Sequence, residues 1–95
     1  MIPAREVAPR ALGEALRRQP MSAAKVRFAW QSSVGTSIAR VTSVVLDKTG
    51  TLQVNAQSEH WRREISRSIV VIKKRLADLL GPDAVKRVSV KRGRT

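Results

Sequence analysis

The spacing of apolar residues changes twice along this 95-residue sequence, and those changes limit the folds that the chain can adopt. Up to Thr42 the apolar residues recur about every 3.6 positions, as they do in amphipathic helices. From 43 to 57 they alternate with polar residues, which is typical of a strand with one buried face. After Ser58 the helical spacing returns, and a last alternating stretch follows. The pattern predicts an α+β fold.

Two helices are predicted in the first part of the chain, over 3–19 and 23–40. Pro9 suits a first-turn position, so the first helix is expected to start there. Ser22 is a candidate N-cap for the second helix. Gly35 lies inside that helix and indicates either close backbone packing or a local bend.

Two strands around the turn "DKTG" form a predicted hairpin over 43–57, in which Gly50 supplies the left-handed position. A third strand, "AVKRVSVKR", is predicted near the end of the chain, with Val88 and Val90 facing inward. The alternation assigns six polar residues to the solvent face of the sheet. They are Gln53, Asn55, Gln57, Arg87, Ser89 and Lys91.

One long helix is predicted between the hairpin and the last strand, capped by Ser58 and ended by Gly81. Its apolar row begins at Trp61 and faces the core. Val70 and Val71 point away from that row, so either the helix bends near 66–68 and buries them, or they form an exposed apolar patch.

A basic row lies on the opposite side of this helix. Arg63, Arg67 and Lys74 follow at spacings of four and seven, about 6 Å and 10 Å along the helix axis. Arg62 and Lys73 flank the row, and the glutamates are expected mostly to miss it. Arginine forks match phosphate oxygens well, so the row predicts phosphate contacts.

The predicted order is α-α-β-β-α-β, with helices on one face of a three-stranded sheet and a crossover between the second and third strands. A chain of this length forms one domain, 1–95, and we expect 1–8 and 92–95 to be flexible ends. Trp30 and Trp61 lie in apolar rows, so both are expected to be largely buried.

The charge of the chain is strongly basic and unevenly distributed. Nineteen Lys and Arg residues against seven Asp and Glu leave a net charge of +12. Residues 62–95 hold 11 of those basic residues and only three of the acidic ones. A polyanion is the expected partner, nucleic acid before an anionic membrane, and a merely solubilising surface is the alternative.

Catalytic and cofactor chemistry have little support in the sequence. His60 is the single histidine and there is no cysteine, so we predict no catalytic residues, metal site, cofactor or small-molecule substrate. No apolar run reaches the roughly 20 residues of a membrane span, and the N-terminus lacks the apolar core of a secretory signal. A cytoplasmic, nucleoid-associated protein is expected.

Two stretches resemble the DciA family of bacterial replicative-helicase loaders. "FAWQSSVGTSIARVTS" at 28–43 is similar to that family's W-x-x-V-V-G-x-x-I-A-x-H-T stretch, and "GTLQVNAQSEHWRREI" at 50–65 to its G-x-L-x-V-x-x-x-S-x-x-W-x-x-x-L stretch. The resemblance covers roughly 10–92 and implies a KH-like domain that binds DNA and engages the replicative helicase. Many members carry a disordered extension beside the domain, whereas this sequence ends at Thr95, almost at the last predicted strand. If that extension contributes to helicase or DNA binding, we expect weaker binding by this chain. The motif residues expected to be structural are Trp30, Val34, Gly35, Ile38, Gly50, Ser58 and Trp61.

The sequence therefore predicts a non-enzymatic DNA-binding accessory protein that assists the replicative helicase. An RNA- or ribosome-associated KH-like module and a structural interaction protein are the alternatives. The sheet lacks aromatic residues for stacking, so little base preference is expected. The predicted nucleic-acid-binding residues are Arg62, Arg63, Arg67, Lys73, Lys74, Arg87, Lys91, Arg92 and Arg94.

Overall fold

A computed structural model describes residues 9–93, with side chains from Glu14 onward. Helices and strands follow one another in the order that the apolar spacing predicts, but two of the predicted helices are each divided into two. The elements are α1 (Pro9–Arg18), α2 (Ala23–Val34), α3 (Thr36–Arg40), β1 (Thr42–Leu46), β2 (Thr51–Ala56), α4 (Glu59–Arg67), α5 (Ile69–Leu80) and β3 (Arg87–Arg92).

The three strands form one mixed sheet in the order β1-β2-β3. β1 and β2 are antiparallel and joined by the hairpin turn, whereas β2 and β3 are parallel. Parallel neighbours need a crossover connection, and α4 and α5 provide it. The predicted α+β architecture, with helices on one side of a three-stranded sheet, is confirmed.

The two faces of the sheet differ in the way that the alternation predicts. Leu52, Val54 and Ala56 of β2 are buried beneath the helices, while Gln53 and Asn55 between them are exposed. The core joins this inner face to the buried sides of the helices. Its members are Leu16, Val26, Ala29, Trp30, Leu52, Val54, Ala56, Ile65, Ile72, Leu76, Leu80 and Val85.

Both predicted serine caps are present. Ser22 Oγ accepts the backbone N–H of Lys25 at 3.0 Å, and Ser58 Oγ accepts that of Trp61 at 3.3 Å. Each cap satisfies one of the unpaired N–H groups in a first helical turn. Gly50 has φ +84° in the hairpin turn, as the turn sequence predicts.

The predicted helix over 23–40 is interrupted at Gly35. Gly35 has φ +89° and ψ 165°, a conformation that residues with a Cβ rarely adopt. A Cβ built there meets no atom within 4 Å, so the glycine serves the bend rather than close packing. The bend turns the chain from α2 into α3 and so towards β1.

The predicted long helix is also divided, at Ser68. α4 packs on β2 and β3, whereas α5 packs mainly on α1 and α2, so the two segments cover different parts of the core. The bend near 66–68 does not bury the two valines that follow it. Val70 is 78% exposed and Val71 is 53% exposed, so the alternative in which a bend buries them is wrong, and the alternative of an exposed apolar patch is confirmed.

The two tryptophans differ in burial. Trp30 is 2% exposed and lies in the core, as predicted. Trp61 is only partly buried at the edge of the core, with the His60 ring 5.2 Å from its own in an edge-to-face arrangement. Flexible ends are expected at 1–8 and 92–95; of these, 1–8 and 94–95 lie outside the described residues, and Arg92 is the last residue of β3.

Candidate nucleic-acid interface

The outer face of the sheet is a mostly polar surface that no described helix covers. Strand register arranges its side chains in three short rows across the strands. The rows are Ser43–Asn55–Lys91, Val45–Gln53–Ser89 and Thr51–Arg87. The face therefore unites the predicted residues of β2 and β3 with two residues of β1, and it carries no aromatic ring among residues 14–93.

Two cations lie on β3 at opposite ends of this face. Arg87 and Lys91 are exposed and four residues apart, which is about 13 Å along a strand. Within residues 14–93, neither has a carboxylate oxygen within 4 Å. Both charges are therefore available to an anion that lies along the strand.

One carboxylate lies beside the sheet, at the turn between β1 and β2. Asp47 accepts hydrogen bonds from Thr49 N–H at 2.8 Å, Thr49 Oγ1 at 2.6 Å, Thr51 N–H at 3.1 Å and Gln53 Nε2 at 3.1 Å. These donors, Thr49 first, lower the pKa of Asp47 to about 2. Its charge is fixed at the turn end of the sheet, away from the end where Lys91 lies.

The arginines of α4 are paired with glutamates. Arg62 forks onto Glu59 through bonds of 2.7 Å and 2.5 Å, and Arg63 Nε lies 3.5 Å from the same carboxylate. Arg67 Nη1 lies 3.2 Å from Glu64 Oε1. The fork from Arg62, aided by Arg63, lowers the pKa of Glu59 to about 2. The expectation that the acids would mostly miss the basic row is wrong, because pairs at i, i+3 and i, i+4 reach across the flank of the helix.

The predicted basic row is not continuous. Arg63 and Arg67 belong to α4, Lys74 belongs to α5, and the chain changes course between them at Ser68. The three cations therefore do not follow one helix axis at the expected spacings. Lys73 and Lys74 remain exposed on α5.

The last predicted cations fall on different sides of the sheet. Arg92 pairs with Ala56, which is buried on the helix side, so Arg92 lies on the helix side at the end of β3. Lys91 next to it lies on the outer face, and both are exposed. Arg94 lies outside the described residues.

Three other cations bond to backbone carbonyls. Lys25 is 5% exposed, and its Nζ donates to the carbonyls of Gln19 at 2.7 Å and Arg17 at 3.4 Å, at the C-terminal end of α1. Arg75 donates to the carbonyl of Ser33 at 2.9 Å and ties α5 to α2. Arg17 donates to the carbonyl of Asp78. These cations hold helices together, so net charge overstates the charge available to a ligand.

Sequence reasoning missed the β1 contribution to the outer face. Ser43 and Val45 lie opposite Asn55 and Gln53, and Arg40 lies at the edge of a shallow cavity where β1 begins and β2 ends. The hairpin sequence did not give this register, because the strands close on the five residues 47–51, whereas centring the pairing on "DKTG" would have placed Ser43 opposite Val54.

The residues assigned to the structural motif occupy structural positions. Trp30 is buried, Val34 and Ile38 pack against the core from partly buried positions, and Ser58 caps α4. Gly35 and Gly50 both have positive φ. In the described part of the chain no group of His, Cys, Asp or Glu could hold a metal ion. No helix between 9 and 93 is long and apolar enough to cross a bilayer.

Comparison with known families supports the resemblance noted in the sequence. The family model described as "Dna[CI] antecedent, DciA" matches residues 3–90, nearly the whole chain. No curated protein matches the sequence significantly.

Proposed function

This chain belongs to the DciA family, which connects it with the loading of the replicative helicase, and from that premise we propose that it binds the phosphate backbone of DNA as an accessory to that helicase. The proposed role involves no chemical step. DNA contacts would be made by cationic and polar side chains, and a separate surface would hold the helicase. Such a protein would act at the nucleoid in the cytoplasm.

The outer face of the sheet is the DNA-binding surface that the geometry supports best. Arg87 and Lys91 carry charges with no carboxylate partner among residues 14–93, and Ser43, Gln53 and Asn55 lie between or beside them. Cations without a carboxylate partner contribute the most binding free energy when they displace the counterions that surround DNA. This pair of charges without a carboxylate partner among residues 14–93, on one polar face of the sheet, is the observation that carries the proposal.

The α4 arginines are a weaker second surface. An arginine already forked onto Glu59 or Glu64 must share its donors or break its pair before it can bind a phosphate. The pairs are exposed, so they add little stability and are weakened by salt, and breaking them is possible but costs part of the gain. We therefore assign the main DNA contacts to the sheet face and treat Arg62, Arg63 and Arg67 as a second, weaker surface on the helix side of the sheet.

Recognition through this face would be largely independent of sequence. Contacts to phosphate position a protein on DNA, whereas contacts to base edges and stacked bases specify a sequence. The face offers hydroxyl, amide and cationic groups and no aromatic ring for stacking. Selection from a random oligonucleotide pool should yield no sharp motif.

The salt dependence of binding to a (dT)20 strand tests the proposal. If three to five phosphates are neutralised, log affinity should fall against log salt with a slope of roughly −2 to −4. The double variant Arg87→Gln/Lys91→Gln should flatten that slope by about one to two. Arg63→Gln/Arg67→Gln should flatten it less, because those charges are already partly satisfied.

A double variant with the same charge change serves as the control. Arg18→Gln/Arg27→Gln removes two exposed cations from α1 and α2. Equal flattening by the control and the sheet variant would mean that only net charge matters, and the assignment to the sheet face would be abandoned. Tighter binding to a (rU)20 strand than to (dT)20 would favour an RNA-binding module instead.

A further inference from the structure

The outer edge of β1 is open. β1 is the first strand in the order β1-β2-β3, so one of its edges has no partner strand within residues 9–93. The edge strand, "TSVVL", contains no proline and no charged residue, the usual devices that prevent a further strand from adding to a sheet. The edge can therefore accept another strand.

The register identifies the backbone groups that face outward. Bonds from Gln57 N–H to the Val41 carbonyl at 2.8 Å and from Asp47 N–H to the Thr51 carbonyl at 3.0 Å bracket the ladder. In an antiparallel pair, bonded and non-bonded positions alternate. Ser43 and Val45 therefore bond to β2, and the outward N–H and C=O groups are those of Thr42, Val44 and Leu46.

A groove of about 380 Å³ runs beside this edge, between β1 and the helices α2 and α3. Its floor is Trp30, which is 2% exposed and fixed by a hydrogen bond to Thr42. Ala39 and Val44 are partly buried along its sides. An apolar side chain of an added strand would fit between the open edge and the helices.

The charge around the groove is positive. Arg27 lines it, and Arg40 precedes β1 at one end of the edge. At the other end Lys48 follows the carboxylate of Asp47, whose oxygens already accept four hydrogen bonds. Within residues 14–93, no carboxylate pairs with Arg27 or Arg40. A partner with acidic residues complements this edge.

We propose that the open edge of β1 binds an extended, acidic segment of a partner protein, which adds to the sheet as a fourth strand. Main-chain bonds to Thr42, Val44 and Leu46 would supply affinity over about 14 Å, the span of about five residues. One side chain in the Trp30 groove and carboxylates near Arg27 and Arg40 would supply selectivity. β1 and β3 form the two opposite edges of the sheet. The proposed binding of a partner strand at β1 does not depend on DNA binding.

Synthetic peptides test the proposal on the intact protein. The probe is a nonapeptide of alternating valine and threonine with a glutamate at each end. Its control is the same peptide with a lysine at each end. The acidic peptide should bind the protein at least about tenfold more tightly than the lysine peptide does. At saturation it should slow amide exchange at Thr42, Val44 and Leu46 by at least about tenfold, and leave the amides of β3, the other open edge, unchanged.

Backbone methylation separates strand addition from charge attraction. Two acidic peptides of the same composition are N-methylated at every second residue, one at the odd-numbered residues and the other at the even-numbered residues. Methylation removes the N–H donors along one edge of each peptide, so the two peptides differ only in which edge can still pair with β1. One phase should keep its affinity and the other should lose at least about tenfold. Equal loss in both, or in neither, would overturn strand addition.

Substitution of Arg27 tests the charge. Arg27→Glu should weaken binding of the acidic peptide about tenfold and reverse the preference towards the lysine peptide. Arg18→Glu makes the same charge change on α1 and should leave both affinities unchanged.

Three further results would overturn the proposal. Protection at β3 would place the peptide on the wrong edge. Protection that depends only on protein concentration would assign the edge to a second copy of this chain. Protection of the β1 amides by a (dT)10 strand but not by the peptide would assign the groove to nucleic acid.

Discussion

Trp30 Nε1 donates a hydrogen bond to Thr42 Oγ1 at 2.8 Å, and the Thr42 hydroxyl in turn donates to the carbonyl of Ile38 at 2.8 Å. The first bond satisfies the only polar atom of a tryptophan that is 2% exposed. The second ties the end of α3 to the start of β1. This relay joins α2, α3 and β1, and therefore holds the open edge of β1 against the helices.

Removing the Thr42 hydroxyl should destabilise the fold. Thr42→Val keeps the shape but leaves the buried indole N–H without an acceptor, which costs about 1–3 kcal/mol. Thr42→Ser restores most of that loss. Urea denaturation measures both, with Thr36→Val, at an exposed position in α3, as the control. A loss at Thr36 equal to that at Thr42 would contradict the role of the relay.

A side chain at Gly35 should destabilise the fold through the backbone alone. Gly35→Ala places a Cβ on a residue with φ +89° and ψ 165°, a strain of about 1–3 kcal/mol. No neighbouring atom would clash with that Cβ, so larger residues should cost little more than alanine. Thermal unfolding of Gly35→Ala and Gly35→Ser, compared with Ser32→Ala on α2, measures the effect. A steep dependence on side-chain size would indicate a contact rather than backbone strain.

Asp47 should contribute stability that disappears in acid. Its pKa is about 2 in the folded chain, against an ordinary value of 3.8, so the folded state favours the charged carboxylate. The contribution is therefore complete above the ordinary value and is lost as the pH falls from about 4 towards 2. Asp47→Asn should lower the urea midpoint at pH 6, and its difference from the unmodified chain should shrink below pH 4. Asp83→Asn supplies the charge-matched control, and a difference that stays constant with pH would contradict the prediction.

Neutralising Glu59 should strengthen binding to DNA if the α4 arginines form a second binding surface on the helix side of the sheet. Glu59→Gln frees Arg62 and Arg63 from the carboxylate that holds both. The salt slope on (dT)20 should steepen by up to about one, because at most one or two further cations reach phosphates. Glu14→Gln makes the same charge change on α1, and an equal gain from that control would show that the effect is only net charge.

Local sequence patterns were enough to place most of the elements. The alternation of Leu52, Val54 and Ala56 with polar residues identified the buried face of β2, because strand side chains alternate between faces wherever the strand lies. Ser22 and Ser58 marked helix starts, since a cap acts on N–H groups within the next three residues. Each of these features depends only on neighbours along the chain.

The division of the predicted long helix could be named from the sequence only as one of two alternatives, the bend near 66–68. The apolar period continues through Ser68, so the sequence alone favours one helix. α4 follows the sheet while α5 follows α1 and α2, and the chain bends where those two surfaces meet. Val70 and Val71 stay exposed because the helices beneath α5 bury Ile72, Leu76 and Leu80 instead.

The sequence by itself determined the α+β order, the two faces of the sheet and the excess of positive charge. Only the tertiary structure decided which cations are available to a partner. Lys25 donates to carbonyls at the C-terminal end of α1 and Arg62 pairs with Glu59, whereas Arg87 and Lys91 share one face of the sheet with no carboxylate partner among residues 14–93. The physical reason is that periodicity and capping act over a few residues, whereas the pairing of a charge depends on what distant segments bring within about 4 Å of it.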